Sequence, residues 1–291
     1  MQNETKKEDL KSLGDRMKSY EDEMKIQIEK NKSFIIRLDG HSFSKFTKNF
    51  EKPHDIRIHN AMIETASVLL KTFMPSCIYT FSDEITMCFP SVDELTLEEG
   101  KEIPDLAYSG KVQKLISLSS GLASTVFYKS ITNAQYDKDT ESNLIKLLNN
   151  CTPHFDARIF TLPSNSEIVN NLIWRSLVDC KRNSVANLGF AHFPPKQMFG
   201  LNNTQVKEKL LEEKSIVYEN EPAWYRFGTY LKKEYYTLNT VSPTEPEKQI
   251  SAVRSKVSCF SFDISKLSNP LDFISLKTLP EAFKLELIEK K

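Results

Sequence analysis

The chain is poor in cysteine, and its five cysteines form no CxxC pair. An odd, scattered set excludes a disulfide framework and a zinc ribbon. It fits reduced, structural thiols in an intracellular protein. Long apolar runs are missing too: none approaches the roughly 20 residues that a membrane helix needs, so no membrane partner is expected. The opening stretch MQNETKKEDLKSLGD has no apolar core and does not read as a secretory signal. A cytoplasmic location is expected, with mitochondria as the alternative. An excess charge of either sign is also absent, with Lys plus Arg at 39 and Asp plus Glu at 39. A nucleic-acid partner would therefore need a local basic patch. No internal repeat is visible. What remains is 291 residues, 40% hydrophobic and 27% charged. That is the composition of a globular protein able to bury a core without staples, in one large domain or two modest ones.

Against this plain background, FIIRLDGHSFSKF (34–46) stands out. Phe34, Ile36 and Leu38 alternate with Ile35, Arg37 and Asp39, the period of a strand. The second set runs from an apolar residue to a cation and then a carboxylate on one face, where the strand ends at Gly40. Downstream, Ile58, Met62, Ala66, Leu69 and Phe73 recur at steps of four, four, three and four. They mark one face of a helix, with Pro75 just past its end. CIYTFSDEITMCFP (77–90) reads as a hairpin around Ser82-Asp83-Glu84.

The remaining pattern is predicted as follows. Residues 5–31 form a solvated helix or helix pair, and 91–107 an acidic loop insertion. Residues 111–131 are a second amphipathic helix and 155–163 a strand. A capped helix starts at 164 and runs on to about 190. A short charged helix spans 203–213, a strand pair 224–238 and a linker 242–249. The last forty residues carry mixed signals and receive no assignment.

Strand, helix and hairpin in this order allow a split β-α-β sheet with the first strand antiparallel to a hairpin strand. Asp39 and Asp83 then face each other at one end, with Glu84 beside them. Carboxylate oxygens suit a hard divalent cation such as Mg²⁺, held together with substrate phosphates. Two such ions about 4 Å apart activate an attacking oxygen and stabilise a leaving one. Arg37 and Lys52 supply charge for a triphosphate. Taken singly, Asp-Gly after a strand and Ser-Asp-Glu at a hairpin tip are ordinary turn chemistry. It is their separation by one strand and one helix that suggests a site.

RLDGHSF (37–43), FEKPHD (50–55) and SDE (82–84) resemble the motifs of the tRNA-His guanylyltransferases and Thg1-like proteins. Further segments match in order: GDRMKSYE (14–21), KLISLSSGLAS (114–124), FDARIFTLPS (155–164), WRSLVDCKRNSVANL (174–188) and YENEPAWYRFGTYL (218–231). The resemblance covers about residues 8 to 236. It implies an α+β fold with a palm-type, ferredoxin-like antiparallel sheet and flanking helices. An N-terminal helical segment (1–32) would precede a catalytic domain (33–238) and a C-terminal extension of unknown role (239–291). It implies 3′–5′ nucleotide addition to the 5′ end of tRNA, with ATP activating a 5′-monophosphate and GTP or another nucleoside triphosphate attacking. Two Mg²⁺ ions would serve the reaction, and a homotetramer is implied.

The resemblance assigns Asp39 and Asp83 to metal and catalysis, with Gly40 as a backbone ligand. It places Arg37, Phe43, Lys52, Asp55, Ser82 and Glu84 around the nucleotide. Departures from the family pattern are His41 for an arginine, Ser44 for a histidine and His54 in the third place of KPHD. In the helix at 174–188 the eukaryotic His-Ile-Asn-Asn run is Lys181-Arg182-Asn183-Ser184. Lys181, Arg182, Asn183 and Asn187 are candidate RNA contacts, a solvated role being equally open for the two cations. Arg175, Asp179 and Arg182 are expected to form an ion-pair ladder, and Trp174 to lie in the core. Templated repair of 5′-truncated tRNAs is the favoured activity. A dedicated histidine-tRNA guanylyltransferase is the alternative. A palm-type nucleotide cyclase and a non-catalytic RNA-binding protein are the rivals from other classes.

Overall fold

The computed structural model describes residues 12–92, 103, 105–241 and 249–276. Most of the acidic insertion and of the linker lies outside the described residues. Six strands form one sheet in the order β4-β1-β3-β2-β5-β6, and every neighbouring pair is antiparallel. They are β1 (Ser33–Gly40), β2 (Cys77–Phe81), β3 (Glu84–Phe89), β4 (Phe155–Leu162), β5 (Thr229–Val241) and β6 (Gln249–Phe260). The helices are α1 (Leu13–Asp22), α2 (Phe43–Phe46), α3 (Ile56–Phe73), α4 (Val112–Thr132), α5 (Ser142–Asn150), α6 (Asn165–Ile173), α7 (Lys181–His192), α8 (Pro195–Met198), α9 (Asn203–Lys214), α10 (Ala223–Phe227) and α11 (Pro270–Ser275). The first four strands with α3 and α4 make a ferredoxin-like β-α-β-β-α-β unit, as the motif order implied. Among the described residues no helix is long and apolar enough to cross a membrane.

The alternation in β1 explains why the sheet is covered on both sides. Phe34, Ile36 and Leu38 pack into a core with Met62, Ala66 and Leu69 of α3 and Phe127 of α4. Ile35 points the other way, into a cluster with Ile168 and Leu172 of α6 and Phe273 of α11. Asp55 caps α3, accepting the Arg57 N–H, so the helix starts immediately after the loop that carries Lys52. A third cluster of Val185, Leu188, Val206, Leu210 and Tyr225 seats α7 on α9 and α10.

Three elements differ from the reading of the sequence. The stretch 224–238 is not a strand pair: α10 precedes one long strand, β5, whose partner β6 lies in the stretch left unassigned. Gly228 makes the join, at φ 74° and so close to Tyr79 that a Cβ would lie 2.4 Å from its hydroxyl. The helix from 164 to 190 is divided by a π-helical segment, Trp174–Cys180. Helix α5, with Leu144 and Leu148 buried, received no sequence assignment. Phe262, Ile264 and Phe273, beyond residue 239, close the second face of the sheet. Helix α1 buries none of its residues.

Candidate active site

The site grows from the shared end of β1 and β3. Asp39 pairs in register with Glu84 of β3 on one side and Asp156 of β4 on the other. The Gly40 N–H donates to the Asp83 carbonyl at 3.0 Å, which ties β1 to the hairpin turn. Ser82 holds that turn at φ 50°, and its hydroxyl donates to Asp83 Oδ1 at 2.9 Å. Burial raises the Asp83 carboxyl above its ordinary pKa, and the neighbouring Asp39 charge pushes the same way against the Ser82 hydrogen bond. An Asp83 carboxylate disfavoured by burial and by the charge beside it makes a place where a cation is welcome.

Glu84 has a different task. It was expected as a third oxygen ligand, but Arg175 Nη1 lies 2.9 Å from its Oε2 and Arg37 Nε 3.8 Å from it. Neither contact is aligned as a hydrogen bond, since Glu84 Oε2, Arg37 Nε and Arg175 Nε are all buried without such a partner. Burial raises the Glu84 pKa, with Arg175 and Arg37 opposing. Among the described residues no group of three His, Cys, Asp or Glu side chains is placed to hold a metal. Asp39 and Asp83 are neighbouring carboxylates of this end, and Asp156 lies in register beside Asp39. Arg37 also lies 3.6 Å from Asp39 Oδ2, so its guanidinium sits within the acidic group.

Gly40 and Phe43 act together. A Cβ at position 40 would lie 2.3 Å from the Phe43 ring. That ring is buried against Phe46, Phe127 and Phe155, so it supports the Gly40 backbone from below rather than facing a nucleotide. Lys52 Nζ donates to the Thr47 carbonyl at 3.0 Å. Burial of part of this otherwise exposed side chain lowers its pKa, and Asp55 opposes. Asp55 itself is fully engaged, accepting from the N–H groups of Glu51 and Arg57 and from the Arg57 guanidinium. Burial works to raise its pKa, but those hydrogen bonds outweigh it and leave the carboxyl below its ordinary value. Asp55 thus shapes the loop and caps the helix.

Beside this end of the sheet opens a cleft of about 790 Å³, its open mouth included, lined among others by Lys52, His54, Ser82, Asn183, Asn187 and Trp224. Asn183 and Asn187 were candidate RNA contacts, and α7 brings both to the lining of the cleft with Lys52 and Ser82. Lys181 and Arg182 are exposed, as is Asn187, while Asn183 is partly buried. Arg182 bonds Asp179, which also accepts from Arg175 at 2.7 Å, so the expected ladder forms. It extends further than the sequence showed, through Arg175 to Glu84.

Trp174 does not lie in the core. It is 46% exposed, with the Arg175 guanidinium 4.4 Å from its ring centroid. The π-helical segment buries Arg175, Ser176, Asp179 and Cys180, which leaves Trp174 outside. Sequence reasoning also passed over Asp156, on the same sheet face as Asp39. The alternation of FDARIF carried that signal, since strand partners in register share a face. It also passed over His59 and Trp224, and no local pattern marked those two.

Residues 14–163 match the family described as tRNAHis guanylyltransferase. A protein of Acanthamoeba polyphaga mimivirus described as uncharacterized is 33% identical over 280 residues, covering 90% of this chain and 88% of that protein. The tRNA(His) guanylyltransferase of Debaryomyces hansenii is 28% identical, covering 69% of this chain and 73% of that protein. Among solved structures, a bacterial tRNA(His) guanylyltransferase (Thg1)-like protein in complex with ATP superposes at a TM-score of 0.71 with 27% identity, covering 90% of this chain and 99% of that one.

Proposed function

Because the chain belongs to the tRNA-His guanylyltransferase (Thg1) family, we propose that it adds nucleotides to the 5′ end of tRNA in the 3′–5′ direction, directed by the opposite strand. The observation that carries this is the meeting of Asp39 and Asp83 at one sheet end, beside a cleft holding Lys52 and Ser82. Those residues fit Mg²⁺: two neighbouring carboxylates and a backbone at Gly40 that carries no side chain of its own, with substrate phosphates to complete the shell. A pair of divalent ions there would activate an attacking oxygen and neutralise phosphate charge. The protein's own groups hold and align the reactants. Lys52 offers a point charge to a phosphate, and Ser82 fixes the Asp83 carboxylate through its hydroxyl. The Arg37 guanidinium faces the same acidic group. The ATP bound by the similar bacterial protein supports a nucleoside triphosphate as substrate.

Templating rests on a second observation. Lys181 and Arg182 stand where guanylyltransferases carry histidine and isoleucine, and both are exposed donors without acceptor capacity. They suit backbone phosphate better than the choice of one anticodon. Selection then falls to base pairing in the acceptor stem. The test is a set of 5′-truncated tRNAs not specific for histidine, with the opposing base varied. The expected product at each is the complementary nucleotide. Addition of guanosine whatever base stands opposite, with efficient extension of full-length histidine tRNA, would favour the dedicated guanylyltransferase instead.

A further inference from the structure

One wall of the cleft is aromatic to a degree the reaction does not by itself require. His59 of α3 stacks on Trp224 of α10, centroids 4.1 Å apart and planes 20° from parallel. His54 packs edge-on to Trp224 at 4.9 Å and against Tyr225 at 4.6 Å. His54 Nε2 lies 3.1 Å from Glu221 Oε2, which pins the ring from behind. Burial, with His54 next in effect, lowers the His59 pKa to about 4, so at neutral pH that ring is an uncharged plane. These rings come from segments far apart in sequence: His54 from the loop before α3, His59 from α3, and Trp224 and Tyr225 from α10. They line the same cleft as Lys52, Ser82 and the Asn183 and Asn187 amides.

A cation and an aromatic wall lining one cleft have the chemistry to take a nucleotide: charged phosphates joined to a flat, apolar-faced base. We propose that the wall of His54, His59 and Trp224 receives the base of the incoming nucleoside triphosphate, with Trp224 as its main contact surface. The inference rests on the nucleotidyltransferase reading of the site and adds the surface that holds the base. Every base has an apolar face, so such a wall grips all four without choosing among them. The Asn183 and Asn187 amides, each offering donor and acceptor, are compatible with the same tolerance. A base-tolerant grip is what templated addition needs, because the opposite strand must make the choice.

The sequence holds two tryptophans, so a Trp174→Phe protein reports on Trp224 alone. Its fluorescence is titrated with GTP, ATP, CTP and UTP, with inorganic triphosphate, and with a 5′-monophosphorylated tRNA, while equilibrium dialysis measures binding in parallel. The expected result is saturable quenching by all four nucleoside triphosphates at the concentrations where dialysis shows binding, and none by inorganic triphosphate. Trp224→Leu is expected to raise the apparent KM for the nucleotide roughly five- to 150-fold, the range of base–aromatic stacking, and Trp224→Phe to recover most of it. Nucleotide binding without a fluorescence change, equal quenching by triphosphate, or quenching by tRNA alone overturns the base wall and leaves the nucleotidyltransferase reading standing. No nucleotide binding at all defeats both.

Discussion

Asp83 is held where its charge is costly, and that sets a measurable opposition between function and stability. Burial and Asp39 raise its pKa in the folded protein. A carboxyl with a raised folded pKa binds its proton more tightly when folded. Its favourable contribution is therefore present at low pH and is lost as pH rises from the unfolded value through the folded one. At neutral pH the ionised group opposes folding. Asp83→Asn is expected to raise Tm at pH 7, a gain that shrinks as the pH approaches 3.8, the ordinary value for Asp. Mg²⁺ is expected to stabilise the native protein by binding the folded state, and to do so much less in the variant. A scan of Tm against pH and Mg²⁺ checks both. Equal Mg²⁺ stabilisation of the two proteins would place the cation elsewhere. At this scale much was legible. Arg37 and Asp39 share a face because alternation along a strand is strict, and residues one strand and one helix apart were expected to converge. Whether Glu84 would turn to metal or to arginine was not legible, because Arg175 comes from a helix more than ninety residues away.

The π-helical segment is the element that ties the hairpin to the cleft wall. It buries Arg175 between Glu84 and Asp179, with side chains 8%, 17% and 7% exposed. Removing the cation leaves two buried carboxylates opposed. Arg175→Met is expected to destabilise the protein by about 3–5 kcal/mol, the cost of breaking a buried pair by deleting one partner. Adding Glu84→Gln should recover part of that loss. Denaturant unfolding of both variants measures it, and a loss under about 1 kcal/mol would mean that the pair is solvated like a surface bridge. The local pattern identified this stretch as helix and paired Arg175 with Asp179, because i, i+4 neighbours meet on any helix face. It gave no sign of the wider turn, and with it went the placement of Trp174. Nor did it show that α7 lines the cleft. Asn183 and Asn187, expected as RNA contacts, are part of that lining.

Across the whole molecule the sheet is closed by residues that the sequence left unassigned. Periodicity identified β1, α3, the hairpin, α4 and β4, whose apolar residues recur at the spacing of a strand or a helix. It failed for the pairing of β5 with β6. The outer half of that ladder is exposed on both faces, so neither strand alternates cleanly between apolar and polar. Yet Phe262, Ile264 and Phe273 cover Ile35, Tyr79 and Tyr230. A chain ending at residue 248 would expose that face. It is expected to lose cooperative unfolding and to bind a hydrophobic dye in native buffer, as a collapsed but unpacked state does. A truncated chain with native-like, cooperative unfolding would show that this segment is only an appendage.

The claim that Asp39 and Asp83 at the sheet end perform nucleotide transfer to tRNA is tested most directly by single-turnover transfer of labelled nucleotide to a 5′-triphosphorylated, truncated tRNA. Such a substrate needs no prior activation, so the transfer step is read alone. Native protein with Mg²⁺ is expected to extend it by one or more complementary nucleotides. Asp39→Ala and Asp83→Ala are expected to remain folded by circular dichroism and to lose transfer by a factor of about a thousand or more, since each removes a ligand that places charge opposite the phosphates in the transition state. Transfer by either folded variant at close to the native rate, or a cyclic nucleotide made by the native protein without RNA, would contradict it.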